Sequence, residues 1–249
     1  MTEMLRVENI SRRFGGLVAV KEASLTAEAG KITALIGPNG AGKTTLFSII
    51  TGFVKPTAGQ VHYAGADITG LPPHLLARRG IARTFQIAQP FAGLTVAENI
   101  AVGSHLSRPA RGAALAAAQR VATEVGLAPM LDQPAASLTV AGRKRLELAR
   151  ALAIEPKLLL LDEVLAGLNP SEVRDMVPVI QAIRARGITV VMIEHVMQAV
   201  ISLAEHVFVL AEGRIIAQGA PRVIAEDARV VEAYLGYGAA GRMRGAPDG

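Results

Sequence analysis

Residues 37–44, Gly-Pro-Asn-Gly-Ala-Gly-Lys-Thr, fit the pattern G-x-x-x-x-G-K-[ST] at every fixed position. The glycines let the backbone curl until its N–H groups face phosphate oxygens, and a helix starting at Lys43 adds a partial positive end. Lys43 adds a full charge, worth about 4 kcal/mol per phosphate charge at about 4 Å and an effective dielectric of about 20. The Thr44 hydroxyl is a ligand type that suits Mg²⁺. The bland alternative is a glycine-rich turn. Glycine is 25 of 249 residues, and a chance match arises in roughly one chain in a hundred or fewer. Residues 158–163, LLLLDE, form an apolar run ending in two carboxylates. Such a strand opens at its carboxyl end into the crevice where α/β sheets bind ligands. Asp162 is placed to hold Mg²⁺ through water, and Glu163 to polarise an attacking water as base or orienting acceptor. Alone, an acidic strand end reads equally well as a solvated terminus; the phosphate loop tips the reading toward chemistry. His195 closes another apolar run, ITVVMIEH. A lone histidine there is more often structural, and its neighbour Glu194 reads as readily as a surface acid.

The elements that carry these residues follow from pattern. KITALIG is a short buried strand stopping at glycine, and TTLFSIITG after Lys43 has helical spacing. LRVENI and LVAVKEASLTA alternate around Gly15-Gly16, and residues 60–68 read as a hairpin about Ala64-Gly65. A short helix is predicted over 72–80, an Ala-rich one over 112–126 and another over 143–154. Thr95 and Glu98 form a capping-box pair. Strands and helices then alternate through LLLLDE, SEVRDMVPVIQAIRARG, ITVVMIEH, MQAVISLAE and HVFVLAEGRIIAQG, which predicts a parallel sheet covered on both faces.

Composition bounds the rest. With 51% hydrophobic and 19% charged residues the chain has ample core material. Aromatics at 4%, with no tryptophan, argue against a base-stacking surface for nucleic acid. The net charge of +5 suits an anionic ligand or membrane surface without demanding either. The absence of cysteine excludes disulfides and thiolate metal sites. No run approaches the roughly 18 apolar residues of a membrane span, and the acid-bearing N-terminus does not read as a secretory signal.

Taken together these residues resemble ATP-binding subunits of ABC transporters over roughly residues 4 to 237. ARTFQ places the family's Q-loop glutamine at Gln86, LLLLDE is the Walker B strand, AGLNP (166–170) the D-loop, and IEH puts the switch histidine at His195. RRFGGLVAV, GIARTFQ, LTVAENI, AGLNPSE, MIEHVM and VVEAYLG narrow the likeness to importers of branched-chain amino acids, a group that also takes up urea, short amides or aromatic compounds.

The resemblance implies an α/β P-loop NTPase core of RecA-like type, about residues 1–88 and 156–237, with an N-terminal antiparallel β subdomain. It also implies a helical subdomain at 89–155 and a flexible tail at 238–249. ATP would be held by Phe14, stacked on adenine, and by Gly37, Pro38, Asn39, Gly40, Ala41, Gly42, Lys43, Thr44 and Thr45. Mg²⁺ would sit on Thr44, Gln86 and Asp162. Glu163, His195 and Gln86 would act in catalysis. Two such chains, alike or unlike, would sandwich two ATP molecules, each completed in trans by the partner's signature residues, here Thr139, Ala141 and Gly142. Two membrane permease subunits would dock on residues 87–105, with a solute-binding protein beyond them, so the chain would sit on the cytoplasmic face. No nucleic acid enters this scheme.

The signature departs from the family's L-S-G-G-Q: it reads Leu138-Thr139-Val140-Ala141-Gly142, and Val164 follows Walker B where proline is frequent. A methyl added at Ala141 to a close-packed site costs about 1–3 kcal/mol, or roughly 5- to 150-fold in closure. The alternative reading is therefore an ATP-binding partner with little hydrolysis of its own.

Overall fold

The computed structural model describes residues 2–85 and 89–235. The chain opens with a hairpin, β1 (Glu3–Phe14) and β2 (Leu17–Glu28), then β3 (Ile32–Ile36), α1 (Lys43–Ile50), β4 (Ala58–Tyr63), β5 (Ala66–Asp67), α2 (Pro73–Arg78) and β6 (Ile81–Arg83). Three helices follow: α3 (Val96–Ser104), α4 (Arg111–Glu124) and α5 (Val140–Leu152). The remainder alternates β7 (Leu158–Asp162), α6 (Pro170–Ala185), β8 (Thr189–Ile193), α7 (Met197–Leu203), β9 (His206–Ala211) and β10 (Arg214–Gly219), closing with α8 (Pro221–Glu226) and α9 (Ala228–Leu235).

Two sheets result. One is antiparallel in the order β2-β1-β4-β5; the other runs β10-β9-β3-β8-β7-β6 and is parallel except for β10. Strands β3, β7 and β8 are buried at every residue, as a sheet covered on both faces requires. Their side chains alternate between two cores. Ala34, Leu159, Leu161, Val190 and Met192 meet the helical layer, while Leu35, Leu158, Leu160, Val191 and Ile193 face α1 and the antiparallel sheet. Each fully buried aliphatic side chain contributes about 1.5–3 kcal/mol, so the strands that carry the acids are among the most firmly held parts of the molecule.

The turn at Ala64-Gly65 has φ of 49° and 79°, the left-handed pair that two-residue hairpins need. Thr95 caps α3 with Glu98 returning the bond, and Asn169 with Glu172 does the same for α6. One boundary differs from expectation. The helix read as beginning at Arg143 begins at Val140, because the Thr139 side chain accepts a hydrogen bond from the Gly142 N–H and caps it. Val140, Ala141 and Gly142 are thus the first turn of α5 rather than a loop. Gln86 and the tail 238–249 lie outside the described residues. Among the described residues no helix is long and apolar enough to cross a membrane.

Candidate nucleotide site

The loop between β3 and α1 is shaped by two glycines that tolerate no side chain. A Cβ on Gly37 would lie 1.9 Å from the Leu210 carbonyl oxygen, and one on Gly42 would lie 2.2 Å from that of Ala19. Gly42 also has φ of 104° and immediately precedes α1, a left-handed conformation for which glycine carries no steric cost. The Lys43 ammonium folds back and donates to the carbonyls of Gly37 (2.7 Å) and Pro38 (2.9 Å). Burial lowers its pKa, while the charges of Glu163 and Asp162 oppose that shift. A buried ammonium held by two neutral carbonyls is primed for anionic oxygen, which bonds it more strongly.

A cavity of about 660 Å³ opens over this loop, lined by Phe14, residues 39–45 and Glu163 among others. Phe14 is 43% exposed, so its ring is open to the cavity and not packed into the core. The Arg12 guanidinium lies 4.4 Å from its ring centroid. A larger cleft of about 950 Å³ adjoins it, and Thr44 lines both. The larger cleft also contains Asp162, Arg83, Phe85, Glu147 and Arg150.

The acids at the end of β7 diverge in environment. Glu163 has φ of 51°, an uncommon geometry for a residue other than glycine and one often found at functional positions. Its N–H donates to the Ile193 carbonyl, and its own carbonyl accepts from Lys144 Nζ at 3.0 Å. This fixes the backbone while Oε1 meets His195 Nε2 at 2.7 Å. Two residues 32 positions apart are thus brought into one hydrogen-bonded pair. Asp162 is 1% exposed. Burial raises its pKa, against the pull of Arg83.

Arg83, at the end of β6, pairs with Asp162 Oδ2 at 2.7 Å and also reaches the hydroxyls of Ser48 on α1 and of Thr51 just past its end. Sequence reasoning passed over Arg83, although it sits inside the quoted ARTFQ. The other oxygen, Asp162 Oδ1, is buried without a hydrogen-bond partner among the described residues. An orphaned carboxylate oxygen beside the Thr44-lined cleft fits a hard cation with oxygen ligands. Among the described residues no three His, Cys, Asp or Glu cluster to cage a metal, so such an ion would depend on phosphate and water for its remaining ligands.

Glu194 corrects the surface reading. It is 1% exposed, and its Oε1 accepts from the Leu165 N–H at 2.9 Å. Burial pushes its pKa up to about 7, with Glu163 adding to the rise and the Leu165 and His195 amides opposing it. The signature residues Thr139, Ala141 and Gly142 do not line the cavity over this chain's own phosphate loop. A Cβ on Gly142 would come within 3.2 Å of Leu138 Cβ, so a longer side chain there needs Leu138 to yield. Val140 is 48% exposed.

A family model described as ABC transporter matches residues 20–166, more than half of the chain. A second, described as branched-chain amino acid ATP-binding cassette transporter, matches residues 214–240. The high-affinity branched-chain amino acid transport ATP-binding protein BraF of Pseudomonas aeruginosa is 38% identical, covering 94% of this chain and 98% of that protein. The LivG protein of Salmonella typhimurium, which carries the same description, is 39% identical with the same coverage. Among solved structures, a nucleotide-free ATP-binding cassette from an ABC transporter superposes with a TM-score of 0.87 at 33% identity, covering 94% of this chain and 99% of the other. A cassette in its ADP conformation gives 0.86 at 34%, covering 95% and 100%. These relatives lend no support to the alternative of a partner subunit with little turnover. The chain belongs to the ABC transporter ATP-binding family, a family of ATPases, and within it to the branched-chain amino acid group.

Proposed function

We propose that the chain is the ATP-hydrolysing subunit of an importer for branched-chain amino acids or related amides. The observation that carries this reading is the Glu163–His195 pair, whose glutamate lines the same cavity as Lys43. On binding nucleotide, the Lys43 ammonium exchanges the Gly37 and Pro38 carbonyls for phosphate oxygens. The loop amides bond the remaining phosphate oxygens, and adenine stacks on the open face of Phe14. Glu163 accepts a hydrogen bond from the attacking water and takes its proton as the water oxygen bonds to the terminal phosphorus. The bond from that phosphorus to the bridging oxygen breaks, and ADP leaves with the electron pair. His195 holds Glu163 Oε1 and so fixes which lone pair faces the water. Thr44, Asp162 and Gln86 would hold Mg²⁺, which neutralises charge developing on the phosphates when bound.

In this reading two cassettes close on two ATP molecules. Thr139, Ala141 and Gly142 at the start of α5 serve the partner's nucleotide, and ATP drives closure by binding the closed state more tightly. Permease subunits dock on the helical part around residues 89–105, which places the chain on the cytoplasmic face of the membrane. A solute-binding protein acts through those permeases. The test is Glu163→Gln in the complex with its permeases. ATP binding stays intact, and turnover falls by roughly 10²- to 10⁴-fold, the usual worth of a positioned base. Undiminished turnover removes Glu163 from the mechanism.

A further inference from the structure

Parallel pairing of β3 with β9 ends at Ile36 and Val209. Gly37 is the first residue beyond that ladder, and it is buried. Its α-carbon is pressed against the Leu210 carbonyl, yet its N–H needs an acceptor of its own, since a buried backbone donor is costly to leave unpaired. The acceptor comes from the far end of the chain. The Tyr234 hydroxyl, in the last turn of α9, takes this hydrogen bond at 2.8 Å across 197 positions of sequence. The carbonyl of the same glycine accepts from Lys43 at 2.7 Å. The first glycine of the phosphate loop is therefore gripped on both sides, by the loop's own lysine and by the C-terminal helix.

Helix α9 is anchored well enough to serve. Val230 is 3% exposed within the main core, and the N–H groups of Val230 and Val231 both donate to the Asp227 carbonyl. Burial raises the Tyr234 pKa above its ordinary value, so the hydroxyl stays protonated at neutral pH.

We propose that Tyr234 is a positioning residue for the nucleotide site, with α9 a strap that holds Gly37 in its receiving shape before nucleotide arrives. This rests on reading residues 37–45 as the nucleotide loop, and it gives the C-terminal segment matched by the branched-chain group's own model a direct part in nucleotide binding. Without the hydroxyl, the Gly37 N–H turns toward water and the loop relaxes. Nucleotide must then recover a less populated shape, and the apparent Kd rises in proportion. A net hydrogen bond of ordinary strength makes that rise about two- to tenfold.

The test is Tyr234→Phe in the full chain, which removes one oxygen and keeps the ring. Titration with ATP and Mg²⁺ is expected to show the two- to tenfold weaker Kd. Steady-state turnover is expected to show KM raised by the same factor and kcat unchanged, because the loop grips ground and transition states alike. Hydrogen exchange at the Gly37 amide is expected to quicken. A tyrosine that only stabilised the fold would lower the melting temperature and leave the Kd of folded protein where it was. Parental Kd and Gly37 exchange in the variant overturn the proposal, as does a kcat that falls at constant KM. A parental chain that binds no ATP overturns the nucleotide-loop reading itself, and is told apart because it fails before any variant is compared.

Discussion

Replacing Glu194 with glutamine should make the protein more stable at alkaline pH than at acid pH relative to its parent. Glu194 is 1% exposed, next to the His195 that holds Glu163. Its pKa rises from an ordinary 4.5 to about 7, chiefly through burial, with the negative charge of Glu163 adding to the rise and Lys144 opposing it. The native state therefore keeps a proton that the unfolded chain releases above pH 4.5. For a carboxyl shifted upward, stability is lost as pH rises from the unfolded value to the folded one, and the loss persists above it. At roughly 1.4 kcal/mol per tenfold, the loss is about 1 kcal/mol near pH 5 and about 3 kcal/mol near pH 8.5. The glutamine carbonyl still accepts from the Leu165 N–H, so the variant keeps the bond and drops the titration. Urea unfolding of both proteins at the two pH values measures the difference. The variant's advantage should grow by roughly 2–3 kcal/mol between them. An advantage that is the same at both, within about 0.5 kcal/mol, refutes the reasoning.

Two further outcomes follow from the same structure. Arg83→Met leaves the buried Asp162 carboxyl without its cation, at a cost of about 3–5 kcal/mol. For a chain of this length that lowers the melting temperature by roughly 6–20 °C, and adding Asp162→Asn should recover part of it; a midpoint within about 2 °C of the parent contradicts the pairing. Ala141→Gly removes a methyl from the first turn of α5, where the partner's nucleotide is proposed to sit. If that methyl obstructs closure, ATPase activity of the assembled transporter rises, by up to the 5- to 150-fold allowed for one crowded methyl, whereas an unchanged rate excludes a steric defect there.

What could be read from sequence was what is local. The phosphate loop declares itself in eight consecutive residues, and its strand and helix follow from adjacent apolar patterns, so Gly37, Lys43 and Thr44 fall where expected. Alternating runs likewise gave the parallel sheet and the N-terminal antiparallel hairpins. What stayed hidden depends on residues far apart in the chain. Glu194 looks like any acid after a strand until β8 is seen inside the sheet with Leu165 folded over its end. Arg83 looks like surface charge until β6 is laid beside β7. The start of α5 is hidden because Val140 and Gly142 are poor helix formers; the cap at Thr139 decides it. Tyr234 belongs to VVEAYLG, read only as a mark of family likeness, and nothing in its neighbours points to a glycine 197 positions earlier.

Every step of the proposed turnover requires Lys43 and the curled loop before it to receive a triphosphate. Titrating the purified full chain with ATP and Mg²⁺, beside Lys43→Ala, tests this most directly. The parent should saturate, and the variant should bind roughly a thousandfold more weakly, the equivalent of about 4 kcal/mol. Equal affinity in the two proteins, or no saturable binding by folded parent, contradicts it.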